Sequence, residues 1–248
     1  MKKELYGLKQ APKSWYENID SIFQQAGYNR SKNDPNLYTM QYEQGHIVMI
    51  SMYVDNLIIT GDATYLIKEI KQQMSQVFEM KHLGELRYYL GLEILRDSGQ
   101  TFMSQGKYVK GLLERFRMDQ CKPAAIPLQQ NIKLHSEDGS KEADVTLYRQ
   151  LVGSLIYLTT TRPDLAYAVS VLSQYMSKPL ESHWNVAKSV LRYLQGTVDY
   201  NIIYTDSSDV RLIGFADSDW AGNLYDCISI TGYAFSIGSG VITWCSKK

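Results

Sequence analysis

Apolar residues recur along the chain with two different periods, and each change of period marks a boundary. From Pro12 the residues Trp15, Ile19, Ile22 and Phe23 fall at helical spacing and the run stops at Gly27, which predicts a first helix with proline in its opening turn. A polar loop (31–36) and a short strand (37–41) follow. Residues 46–61 then read HIVMISMYVDNLIITG, two β-prone runs on either side of Asp55 and Asn56. That pattern predicts a tight β-hairpin with a carboxylate at its tip. Residues 63–78 carry Leu66, Ile67, Ile70, Met74 and Val77 on one helical face.

Two further strands (88–95 and 101–104) meet at Asp97-Ser98-Gly99, and a helix follows over 106–116. Pro123, Pro127 and a polar Ser-Glu-Asp-Gly run mark 121–139 as a linker. Helices are expected over 146–160, 163–176 and 181–195, where short connections make them antiparallel neighbours in a small bundle. Gly153 is expected to permit close helix packing, and Arg162 with Asp164 suits a helix N-terminus. From Tyr200 the period becomes two, which predicts strands near 201–205, 211–216, 229–237 and 241–245 in one antiparallel meander. The class is α+β. Both ends fall inside patterned stretches, so the chain reads as a piece cut from a larger domain.

Composition narrows the function classes. The 248 residues are 44% apolar and 12% aromatic, enough for a real core in one large domain or two modest ones. Lys plus Arg equals Asp plus Glu at 26 each, so any nucleic-acid surface must come from local clustering. The helix over 106–116 offers such a cluster in Lys107, Lys110, Arg115 and Arg117, with Lys188 and Arg192 later; a solvated helix face has the same composition. Cys121, Cys227 and Cys245 are far apart and the four histidines lack ligand spacing, which argues against a zinc site and a disulfide framework. With neither a secretion pattern nor an apolar run near 18 residues, a membrane is not an expected partner and an intracellular place is. At the hairpin tip two roles stay open: Asp55 and Asn56 as turn formers, or as a carboxylate site.

Several segments together resemble the Pol polyprotein of copia-type LTR retrotransposons, in its reverse transcriptase and the beginning of its ribonuclease H. They are LYGLKQAPKSWY (5–16), YVDNLIITG (53–61), LGELRYYLGLEI (83–94), CKPAAIPL (121–128), YRQLVGSLIYLTTTRPDLAYAVSVLSQYM (148–176), VLRYLQGT (190–197), FADSDWAG (215–222) and SITGYAF (229–235), in the family's order. The resemblance implies a partial polymerase palm over 1–120, a linker and helical thumb-like bundle over 121–198, and the first antiparallel strands of a ribonuclease H-like fold over 199–248. It implies RNA-directed DNA synthesis on an RNA/DNA template–primer duplex with Mg2+ and no small-molecule cofactor. Asp55 matches the first metal-binding aspartate of the hairpin turn, and Asp217 the first ribonuclease H carboxylate, with Asp219 sharing its strand face. Gly7, Lys9 and Gln10, with Pro12, resemble the loop that borders the incoming nucleotide and template. Residues 89–95, with their turn to Met103, resemble the hairpin that positions the primer 3′ end, and the basic helix would track the duplex backbone.

Departures from the family pattern matter as much. Asn56 stands where the family has a second turn aspartate, and an amide brings no negative charge. The third polymerase carboxylate belongs to a strand before the LYGLKQ motif, and the remaining nuclease carboxylates belong after Lys248. His82 stands where the family has aspartate, and Cys227 and Ile228 where it has basic residues. The expectation is a chain that is catalytically inactive alone. The alternatives are a noncatalytic nucleic-acid-binding remnant, or a partial gene model of an active Pol polyprotein.

Overall fold

The computed structural model describes residues 11–43, 45–129, 132, 134–206, 210–218 and 229–248. The chain divides into two compact units, Met1–Leu86 and Arg87–Lys248.

In the first unit the order is α1 (Ala11–Gln25), β1 (Asn29–Arg30), β2 (Leu37–Gln41), β3 (Ile47–Tyr53), β4 (Asn56–Gly61) and α2 (Thr64–Val77). The strands form one antiparallel sheet in the order β1-β2-β3-β4. On β3, Val48, Ile50 and Met52 are buried while Ile47, Met49 and Tyr53 are exposed, so one face of the sheet closes the core and the other stays open. Ile19 and Phe23 of α1 and Leu66, Ile70 and Met74 of α2 fill that core with Tyr38. The Tyr38 hydroxyl donates to Asp20 Oδ1 at 2.6 Å, which satisfies the one polar atom this ring brings inside.

The second unit runs β5 (Tyr88–Tyr89), β6 (Leu92–Asp97), β7 (Gln100–Ser104), α3 (Gly106–Arg115), α4 (Val145–Leu158), a 3-10 turn (Pro163–Leu165), α5 (Ala166–Ser173), α6 (Glu181–Gly196), β8 (Ile202–Thr205), β9 (Leu212–Ser218), β10 (Thr231–Ile237) and β11 (Gly240–Lys247). Helices α3 to α6 share a core in which Leu112, Tyr148, Leu151, Leu155, Leu172 and Leu194 are all buried. The segment 121–139, expected as a linker, has no helix or strand among its described residues but is fastened to the bundle. Arg192 Nε donates to the Lys122 carbonyl at 2.8 Å and the Tyr175 hydroxyl to the Leu134 carbonyl at 2.8 Å.

Four expectations change. The single strand over 88–95 is two strands, because Leu90 and Gly91 adopt φ of +49° and +81° and make a two-residue turn with Tyr89 opposite Leu92. Residues 202–205 do not join the C-terminal meander: β8 pairs with β7, Gln100 opposite Thr205, in a sheet ordered β5-β6-β7-β8, while β9, β10 and β11 form a separate three-stranded sheet. The helix expected over 163–176 opens as a 3-10 turn before α5. Gly153 packs against nothing, since a Cβ built there meets no atom within 4 Å.

At the corner between α4 and α5 the Arg162 side chain is buried. Its Nε and one amino group grip the Asp164 carboxylate, the closest contact being 2.8 Å. The other amino group donates to the Thr197 carbonyl at 2.9 Å, while the Thr197 hydroxyl accepts at 2.7 Å from the amino group that grips Asp164. The rings of Tyr193 and Tyr200 lie 5.6 and 5.2 Å from the guanidinium carbon. One buried cation therefore ties the start of α5 to the end of α6. One residue earlier, the Thr161 hydroxyl donates to Gln105 Oε1 at 2.7 Å, holding the same corner to the start of α3.

Two measurements follow. Gly153→Ala removes the flexibility of an open helix position without a clash, and is expected to raise stability by about 0.5–1 kcal/mol in urea unfolding. His183 is fully buried, stacked 3.9 Å from Tyr175, with Nδ1 accepting from the Leu180 amide at 2.9 Å and Nε2 donating to the His135 carbonyl at 3.0 Å. Burial lowers its pKa below the ordinary 6.5. The unfolded chain then binds a proton that the folded chain refuses, so stability is complete above pH 6.5 and falls as pH drops below it toward the lowered value. Asp138, pulled down to about 2 chiefly by the Ser140 hydroxyl and then by Ser182, adds its loss only below about pH 3.8. Unfolding measured across pH is expected to show the upper window in the parent and not in His183→Gln.

Candidate functional site

The β3–β4 hairpin pairs Tyr53 with Asn56, so the two loop residues are Val54 and Asp55, and Asn56 opens β4. The sequence placed the turn one residue later, because Asp-Asn is the better turn pair; the alternating burial of Val48, Ile50 and Met52 fixes the register instead. Val54 pays in backbone strain, with φ at +55° for a β-branched residue, on the order of 1–3 kcal/mol. Its carbonyl accepts a hydrogen bond from the Trp15 indole N–H at 2.8 Å. Trp15 in turn meets Phe78, just past the end of α2, edge to face at 5.0 Å. The turn is thus held from α1, with the end of α2 behind it.

Asp55 is exposed at this tip, and the Asn56 side-chain N–H donates to its Oδ1 at 3.2 Å. A second carboxylate at 56 would meet Asp55 with repulsion; the amide meets it with a bond. That chemistry does not fit a pair of divalent ions. The two side chains carry one negative charge between them, and the amide spends its donor on the carboxylate oxygen a metal would need. Among the described residues no three His, Cys, Asp or Glu side chains gather where a metal ion could sit.

Asp217 lies on β9 opposite Gly232, exposed, with its carboxylate accepting from the Ser218 amide at 2.9 Å. The register puts it on the sheet face of Phe215, Ala234 and Trp244. On the opposite face Gly214 lies beneath the Phe235 ring, which occupies the space a side chain there would need. Asp219, Cys227 and Ile228 lie outside the described residues, as do Gly7, Lys9 and Gln10; Pro12 is in the first turn of α1.

The basic residues do not form one strip. Lys107 and Lys110 are exposed and share a face of α3 with Glu114. Lys107 Nζ sits 5.6 Å from the centre of the Tyr88 ring. Arg115 lies about a quarter turn round the helix from that face, and Arg117 adopts φ of +55° where the helix ends. There the Arg117 and Met118 amides bond back to the Glu114 and Leu113 carbonyls, a helix-ending role commonly taken by glycine. Lys188 lies over the Trp184 ring at 5.4 Å, and Arg192 is committed to the Lys122 carbonyl. A groove of about 510 Å³ beside α3 brings Lys110 together with Glu114, Asp119 and Asp199, an acidic balance unsuited to phosphate.

Trp15 was legible only as an apolar helix position. The available signal was chemical: a half-buried indole seeks an acceptor. Trp15→Phe keeps the ring against Phe78 and deletes the donor, so it is expected to lower stability by about 1 kcal/mol and to speed amide exchange at Asp55 and Asn56. Unchanged exchange at those amides would show that the turn holds itself.

A family model described as reverse transcriptase (RNA-dependent DNA polymerase) matches residues 1–130. The retrovirus-related Pol polyprotein from transposon RE2 of Arabidopsis thaliana is 42% identical over the whole chain, which spans 17% of that protein. The corresponding polyprotein from transposon TNT 1-94 of Nicotiana tabacum is 38% identical over the whole chain, which spans 19% of it. An uncharacterized mitochondrial protein of Arabidopsis thaliana is 37% identical over 79% of the chain and 82% of its own length. No solved structure matches the chain. With the family model covering more than half its length and these relatives aligned along it, the chain belongs to the reverse transcriptase (RNA-dependent DNA polymerase) family of copia-type retrotransposon Pol polyproteins.

Proposed function

We propose that the chain is a segment of a retrotransposon enzyme for RNA-directed DNA synthesis, with palm residues over 1–120, a thumb-like bundle over 121–198 and the first strands of a ribonuclease H-like domain over 199–248. The observation that carries this reading is the β3–β4 turn: an exposed aspartate at the tip of a hairpin in a sheet with one open face, pinned through the neighbouring carbonyl by Trp15. In this reading Asp55 is the remaining polymerase carboxylate and Asp217 the first nuclease carboxylate. Gly7, Lys9 and Gln10 border the nucleotide and template, while Lys107, Lys110, Arg115 and Arg117 lie along the duplex.

By itself the chain does not catalyse. Holding two divalent ions requires the site to replace the negative charge and oxygen ligands that water supplied, and Asp55 with Asn56 offers one charge and a carboxylate already bonded to an amide.

Primer extension on an RNA template with magnesium or manganese tests the proposal, with the parent chain, Asp55→Ala and Asn56→Asp compared. All three are expected to stay at background. Extension by the parent that disappears in Asp55→Ala would overturn the inactivity. The family role is read separately, from binding of a template–primer duplex whose log affinity falls linearly with log salt.

A further inference from the structure

The last turn of α4 is fastened on two sides. The Tyr157 hydroxyl donates to the carbonyl of Leu90, the first loop residue of the β5–β6 turn. Two residues on, the Thr159 carbonyl accepts from the Trp244 indole N–H of β11 at 2.8 Å. The Tyr157 ring stands edge-on to Tyr108 of α3, with centroids 4.8 Å apart, so the hydroxyl is presented from a ring that α3 steadies.

The β5–β6 turn is shaped to receive it. Gly91, at φ of +81°, lies directly under the hydroxyl, and any side chain at 91 would occupy the same space. Leu90 takes φ of +49°, a conformational cost for a residue with a side chain, and its carbonyl is the acceptor that meets α4. A strained leucine, a glycine without room for a Cβ and a bundle tyrosine therefore meet at one hydrogen bond. The β3–β4 turn is held in the same way, by the Trp15 indole at the Val54 carbonyl, so an outside donor at a strained loop carbonyl occurs twice in this chain.

We infer that Tyr157 is a positioning residue: it sets where the β5–β6 turn lies relative to the helical bundle, and thereby where a primer 3′ end would rest. This deepens the proposed function, since it rests on the likeness of residues 89–95, with their turn to Met103, to the hairpin that positions the primer; the Leu90-Gly91 turn falls inside that stretch. Tyr157 touches neither nucleotide nor metal in this role. It acts through the Leu90 carbonyl, with Trp244 of β11 bonded to the carbonyl at the end of the same helix.

The test compares the parent chain with Tyr157→Phe and Gly91→Ala. The probes are a DNA primer with a recessed 3′ end on an RNA template, and a blunt RNA/DNA duplex of equal length. The parent is expected to prefer the recessed end. Tyr157→Phe is expected to lose about fivefold of that preference, the size of one hydrogen bond, with blunt-duplex affinity unchanged. Amide exchange at Leu90 to Leu92 is expected to rise in Tyr157→Phe while exchange in the cores of α4 and α6 stays put. Gly91→Ala, which displaces the turn rather than the ring, should reproduce the loss of preference. A parent that prefers the recessed end and a Tyr157→Phe protein that does so equally would overturn the inference while sparing the proposed function. A parent with no preference would overturn the reading of the hairpin, and the inference with it.

Discussion

A guanidinium shut away from water has to be given partners, and Arg162 finds all of its own at one corner of the larger unit. Asp164 supplies the opposite charge, Thr197 two oxygens, and Tyr193 and Tyr200 the faces of their rings. Such a group left unpaired would be costly enough to break a bundle of this size. Because Thr197 closes α6 and Tyr200 stands just before β8, the same contacts decide where the chain goes next. Strand β8 then reaches β7 rather than its sequence neighbour β9, and one cation connects the packing of four helices to the order of a sheet.

Local pattern carried most of the elements. The amphipathic spacing of Leu66, Ile70 and Met74 located α2 within a residue at either end, and the helix expected over 106–116 is α3 to within one residue. It failed where the deciding fact was not local. Leu90-Gly91 lies inside an apolar run, so a two-residue turn there is masked by the residues on both sides of it. The partner of Ile202 is Met103, a hundred residues earlier, and period-two alternation says that a strand exists without saying whom it pairs. Gly153 read as a packing glycine because its neighbours are apolar; the helix turns it outward all the same.

The candidate site was legible to the same extent. Asp55 and Asn56 are adjacent in sequence, so their hydrogen bond needed no fold to bring them together. What the chain hides is the support. The Trp15 bond to the Val54 carbonyl spans 39 residues, and the Tyr157 bond to Leu90 spans 67. Both are side-chain donors aimed at the carbonyl of a loop residue in a hairpin turn. Pattern located the β3–β4 hairpin and missed the β5–β6 turn, and only three-dimensional packing could name the residues that hold the two turns in place. The charges tell a similar story: Arg162 and Arg192, which could have faced a polyanion, are spent on carbonyls and a carboxylate inside the bundle.

The bond between Asn56 and Asp55 also has a chemical lifetime. Side-chain amides of exposed asparagines hydrolyse slowly in water, most readily under alkaline conditions, and the product at 56 is a carboxylate. Each such event would exchange a donor for an anion about 3.2 Å from its neighbour, so an ageing sample would split into species differing by one charge. The turn would lose its internal bond in the altered fraction alone, and fresh and stored material would have to be compared as different molecules.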